Sequence, residues 1–77
     1  MNISDAKKLA EHGAIRELTA CQVSAGLWQM LVKTTDTHDL EILETALGGP
    51  KLYASLDSLD RDAVRIVGDV SSWKMTV

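Results

Sequence analysis

Residues 50–62 read PKLYASLDSLDRD, Pro50 to Asp62, with aspartates and serines set among leucines. The fold turns on whether this is an acidic site or a strand handing over to a helix. Ser55 stands where an N-cap belongs, and Asp57 falls in the first turn beside the positive end of the helix dipole. Counting on at about 100° per residue, Leu56, Leu59, Ala63, Ile66 and Val67 share one face. Arg61 and Arg65 fall opposite. Asp57 precedes Arg61 by four residues and Asp62 precedes Arg65 by three, the spacings at which helix-surface ion pairs meet. A calcium loop needs acids at alternate positions, then a glycine and a bidentate glutamate, and that spacing is absent. The stretch therefore predicts a strand over 51–54 and a capped amphipathic helix over 56–67, ended by Gly68, with every aspartate on the solvent side.

Upstream, Leu27 to Thr34 (LWQMLVKT) is the strongest strand, apolar at Trp28, Met30 and Val32 and again at Leu27 and Leu31. A strand apolar on both faces sits centrally or is covered on both sides. Ile15 to Val23 is a second strand whose alternation breaks at Arg16 and Glu17, where a bulge or frayed start is expected. Ser24-Ala25-Gly26 forms the turn between them. Ser4 to Gly13 reads as a short helix capped by Ser4 and ended by Gly13, with Ala14 folding back on Leu9. His12 in its last turn serves as a C-terminal cation when protonated. Residues 40–47 fit either a helix stopped at Gly48-Gly49-Pro50 or a strand turning there, and their shortness favours the strand. The end of the chain, Val70 to Val77, alternates Trp73, Met75 and Val77 with polar residues, a half-buried strand.

The 77 residues make one domain, 1–77, with a small core. One cysteine, Cys21, leaves no internal disulfide, and no Cys/His cluster offers zinc ligands. Self-association is then the remaining source of extra stability. No secretory start and no apolar run of about eighteen residues are seen, so a cytoplasmic chain outside the membrane is expected. A net charge of −3, with eight basic residues scattered along the chain, argues mildly against sequence-independent binding to phosphate backbones.

The predicted order is α-β-β-β-β-α-β, an α+β fold with a five-stranded, mostly antiparallel sheet and two helices on one face. A twelve-residue helix spans about 18 Å, enough to carry the chain across the sheet. The last strand is accordingly expected beside the first, antiparallel, in the order 5-1-2-3-4.

Chemical sites are sparse. Cys21 with His12 or His38 forms a nucleophile pair only on paper, because mid-strand cysteine behaves as a small buried hydrophobe. Asp36, His38 and Asp39 are too close in sequence to converge on one ion without further ligands. No G-x-S-x-G elbow is present, and Gly48-Gly49 lacks the helix of a phosphate loop. Neither catalytic residues nor a cofactor or metal site are expected, and the chain is read as a non-enzyme.

The segment Leu43 to Asp57 (LETALGGPKLYASLD) resembles small proteins of plasmids and integrating conjugative elements, the partition-associated proteins of the ParC type, unrelated to the topoisomerase subunit of that name. The likeness lies in a glycine turn before Pro50, a basic residue, an aromatic, Ser-Leu-Asp, a helix with arginines, a glycine and a final strand. It extends more weakly over most of the chain and departs after Gly68, where Asp69 replaces an expected apolar residue. It implies residence on a mobile element and no enzymatic activity, and the reading favoured here is an accessory protein that works by binding a host or element-encoded protein. A DNA-binding regulator using Lys51, Arg61 and Arg65 as a basic strip is the alternative, and a small acidic inhibitor of a host nucleic-acid-handling or defence complex a third. Two helices cover only one face of such a sheet, so an apolar patch is left over. A homodimer is expected to bury it, with Trp28 and Leu31 as interface candidates.

Overall fold

Asn2, rather than Ser4, opens the first helix, α1 (Ile3–Glu11). Its side chain accepts from the Asp5 amide at 2.9 Å while the Asp5 carboxylate accepts from the Asn2 amide at 3.5 Å, a reciprocal box that Ser4 has no partner to make. The helix ends as the sequence requires. Gly13 turns to φ 67°, its amide reaches Ala10 O at 3.0 Å, and the Ala14 amide reaches Leu9 O at 2.8 Å. These residues belong to a computed structural model that describes residues 1–36 and 39–68, and the backbone alone of 75–76. His38, the central member of the Asp36–His38–Asp39 trio, and most of the expected last strand, Trp73 included, lie outside the described residues.

β1 (Ile15–Ser24) and β2 (Leu27–Thr34) form an antiparallel hairpin around Ala25-Gly26. The register slips between Ile15 and Glu17. That bulge lets Ile15, Leu18 and Ala20 all point into the core despite their broken alternation. On β2 the even positions face the same way: Met30, Val32 and Thr34 are buried, and Trp28 packs half-buried against them.

The remaining strands depart from the expected meander. β3 is only Leu40–Ile42 and β4 only Leu52–Tyr53, and both pair antiparallel with β2, β3 along Leu31–Lys33 and β4 along Trp28–Gln29. They are two pieces of one strand position. Between them Leu43 stays in line, donating its amide to Met30 O at 2.8 Å with its side chain fully buried. Residues 44–50 are pushed out as a loop, pinched by a Glu44–Pro50 bridge and by the Lys51 amide on Leu43 O at 2.9 Å. The sheet is thus four positions wide rather than five, ordered β3/β4-β2-β1-β5.

One departure explains the next. Because β4 continues β3 instead of turning back on it, β4 runs in the same direction as β1. The second helix, α2 (Leu56–Val67), returns the chain to the starting end, and β5 (Met75–Thr76) then lies beside β1 in parallel, not antiparallel. Its neighbour is as expected and its direction is reversed.

Both helices lie on the face of the sheet that carries Leu18, Met30 and Val32. Ser55 caps α2 as expected, its hydroxyl accepting from the Ser58 amide at 3.2 Å, and Gly68 closes it at φ 83°. Leu59, Ala63 and Ile66 form its buried face.

Candidate functional site

Asp62 does not lie on the solvent side. It shares the inner face of α2, three residues after Leu59 and four before Ile66, and only 5% of it is exposed. Its Oδ2 accepts the Tyr53 hydroxyl at 2.6 Å and the Lys51 ammonium at 2.5 Å, and its Oδ1 lies 3.6 Å from the Arg65 guanidinium. Lys51 in turn sits 5.4 Å from the centre of the Tyr53 ring. The aspartate is therefore a buried clamp between β4 and α2, not a solvated surface charge. Its signal was present in the sequence: position 62 falls on the apolar stripe, and a buried acid demands donors, which Lys51 and Tyr53 supply from the strand just before the helix.

Burial works to raise the pKa of Asp62, but the hydrogen bonds from Lys51 and Tyr53 and the charges of Lys51 and Arg65 outweigh it and hold the carboxyl below its usual value. Burial first, then the hydrogen bond and charge of Asp62, push the Tyr53 phenol far above its own. Tyr53 is the single tyrosine of the chain, so tyrosinate absorbance reports this group alone. It is expected to show no ionisation at about pH 10, where an unperturbed tyrosine titrates, and to ionise only as the protein unfolds. The folded state then loses stability as pH rises past about 10, because only the unfolded chain can release that proton. A simple titration curve centred near 10 on the folded protein would refute the buried bond.

Of the expected basic strip, Lys51 and Arg65 are drawn together on Asp62, which offsets their charge. Arg61 stands exposed on α2, and among the described residues no ion pair joins it to Asp57. Of the expected interface pair, Trp28 turns to the helix side opposite Tyr53, where it belongs to the core rim. Leu31 alone lies on the other face.

That other face is open. Leu31 is flanked in register by Thr19 on β1 and Ile42 on β3, and the same side carries Leu27, Leu40 and Leu52. Leu40 is 48% exposed and Leu52 51%. Cys21, opposite Gln29, lies on it half-buried with a free thiol. Among the described residues no helix or loop shields these side chains. Leu47, at the tip of the 44–50 loop, is fully exposed as well.

Elsewhere the described surface holds little chemistry. A shallow depression between the start of α1 and the 44–50 loop has Glu44 and Lys51 as its charged members, and both are engaged, Glu44 with the Met1 ammonium at 2.5 Å and Lys51 with Asp62. Among the described residues no group of His, Cys, Asp and Glu converges as metal ligands, and no helix is long and apolar enough to cross a membrane. No protein-family model, curated protein or solved structure matches the chain.

Proposed function

We propose that this chain is a non-enzymatic accessory protein of a plasmid or other mobile genetic element, acting in the cytoplasm by protein–protein interaction through the open sheet face. The observation that supports this is the apolar row on that face, Leu27, Leu31, Leu40, Ile42 and Leu52, which two helices on the opposite side leave without cover. The mobile-element setting rests on the likeness of residues 43–57 alone. DNA regulation is the weaker reading, because two of the three basic residues it needs share a buried carboxylate. The net charge of −3 suits an acidic inhibitor of a host nucleic-acid-handling or defence complex, which would use the same face.

Salt separates the readings. Binding through an apolar face changes little as salt rises, whereas binding to a phosphate backbone weakens steeply, and more so the more phosphates are engaged. Pull-downs with the wild type and with Leu31→Asp test the proposal directly, the variant being expected to release what the wild type holds. A shift of the element's own promoter DNA at moderate salt, unaffected by Leu31→Asp, would overturn it in favour of DNA binding.

A further inference from the structure

We propose, building on the reading of this face as a binding surface, that its occupant is a second copy of the same chain, packed sheet against sheet about a two-fold axis. Charge is the first reason. The chain carries −3 overall, yet among the described residues the charged positions of the β1–β2 register on this face are Glu17 and Lys33, one of each sign and opposite each other. Among the described residues that register therefore carries no excess of either sign on this face, so two copies approach through it without net repulsion. A phosphate backbone would find one cation already beside an acid.

Area is the second. Four strand positions at about 4.8 Å and an eight-residue β2 at about 3.3 Å per residue outline roughly 500 Å² per copy. The pair then buries about 1,000 Å² or more, which reaches the lower bound for a specific interface. The flat, wide outline suits another sheet better than a single extended peptide, which would cover one strand's width.

The distribution of side chains fixes the axis. Apolar residues gather on β2, β3 and β4, while β1 presents Thr19 and Cys21. An axis along the strands would lay the apolar half of one copy over the β1 half of the other. An axis in the interface plane but across the strands lays apolar on apolar, with β2 antiparallel to its counterpart. It also sends the Glu17–Lys33 ends of the two copies to opposite ends of the interface, so like charges do not meet. Cys21, opposite Gln29 and so a little off the middle of β2, then lies roughly 14 Å from its own counterpart, allowing for sheets stacked about 10 Å apart and about 3.3 Å per residue along the strands.

Sedimentation of the wild type over a dilution series through the micromolar range should give twice the 8.4 kDa chain mass. Leu31→Asp and, separately, Ile42→Asp should raise the dimer dissociation constant at least tenfold, while Leu47→Asp, on the loop tip, leaves it unchanged. A short bis-maleimide should join two wild-type chains through Cys21 under native conditions and not in denaturant, which needs no variant to fold. A wild-type monomer that still holds another protein through Leu31 overturns the self-pairing and leaves the face a binding surface. A monomer indifferent to Leu31→Asp in both assays overturns both. A dimer that survives both aspartates, or resists cross-linking, uses a different surface and equally overturns the proposal.

Discussion

Asp62→Ala is expected to lower the stability of the fold by about 2–3 kcal/mol, far more than any loss of a surface charge. The substitution strands the buried Tyr53 hydroxyl, and an unsatisfied buried donor costs about 1–3 kcal/mol. Lys51 is left without its carboxylate, but its side chain is 30% exposed and can turn to water, which keeps the total below the 3–5 kcal/mol typical of a fully buried broken pair. Arg65→Ala, by contrast, removes an exposed partner and should cost well under about 1 kcal/mol. Tyr53→Phe, which deletes a donor and leaves the carboxylate with its cations, belongs between them at about 1 kcal/mol. The same clamp sets the acid response. An unfolded Asp62 titrates near 3.9 and the folded one lower, so its contribution is complete above about pH 5 and is lost as pH falls through 4 toward the folded value. Urea midpoints measured from pH 6 to pH 2 should show that loss in the wild type and a shallower one in Asp62→Asn. Equal slopes would mean that the carboxylate is hydrated and the clamp does not form in solution.

Leu59→Ala should be the most damaging core substitution on α2, at about 3 kcal/mol within the 2–5 kcal/mol range for buried leucine. Leu59 is 1% exposed and belongs to the buried cluster that joins the helix to Leu18, Met30 and Val32. Marginal stability of about 0.05–0.15 kcal/mol per residue puts the whole domain in the range of roughly 4–12 kcal/mol, so the variant forfeits a large part of it. Leu56, one turn earlier and 38% exposed, provides the contrast: its alanine variant should lose less than about 1 kcal/mol. Chemical denaturation of the two variants side by side checks the ordering, and similar losses would mean that α2 docks through a different face. Because Leu59 and Asp62 stand one turn apart on the same stripe, their double variant should not be additive.

What the sequence made readable was whatever depends on neighbours in the chain. Ser55 and Gly68 bound α2, Gly13 ends α1, and the stumble at Arg16-Glu17 marks a bulge, because capping and alternation are local properties. What it hid depends on partners that only the fold brings near. Leu43 decides the sheet: burying its side chain and bonding it to Met30 keeps the strand in line, so Gly48-Gly49 closes an excursion instead of a hairpin, and the direction of β5 follows. No local rule distinguishes those two uses of a glycine pair. Asp62 sits on the apolar stripe in plain view, but the i, i+3 partner Arg65 makes a surface reading look sufficient until Tyr53 and Lys51 arrive from the strand. For the candidate site, the two-faced apolar character of β2 was legible, but not which of its faces the helices cover. The core placement of Trp28 and the position of Glu17 opposite Lys33 needed the register.

The excursion at 44–50 has a use beyond its role in topology. The strand leaves β2 after Leu43 and resumes pairing at Leu52, so the ladder is held from both sides and does not sense how many residues lie between. Closing a longer loop costs only about 0.6 kcal/mol for each doubling of its length. A foreign peptide spliced between Gly48 and Gly49 should therefore be displayed in solvent with the scaffold intact, which would make this small domain a carrier for epitopes or affinity tags, checked by comparing melting curves with and without the graft. If the sheet pairs face to face, each assembled particle would present two such grafts.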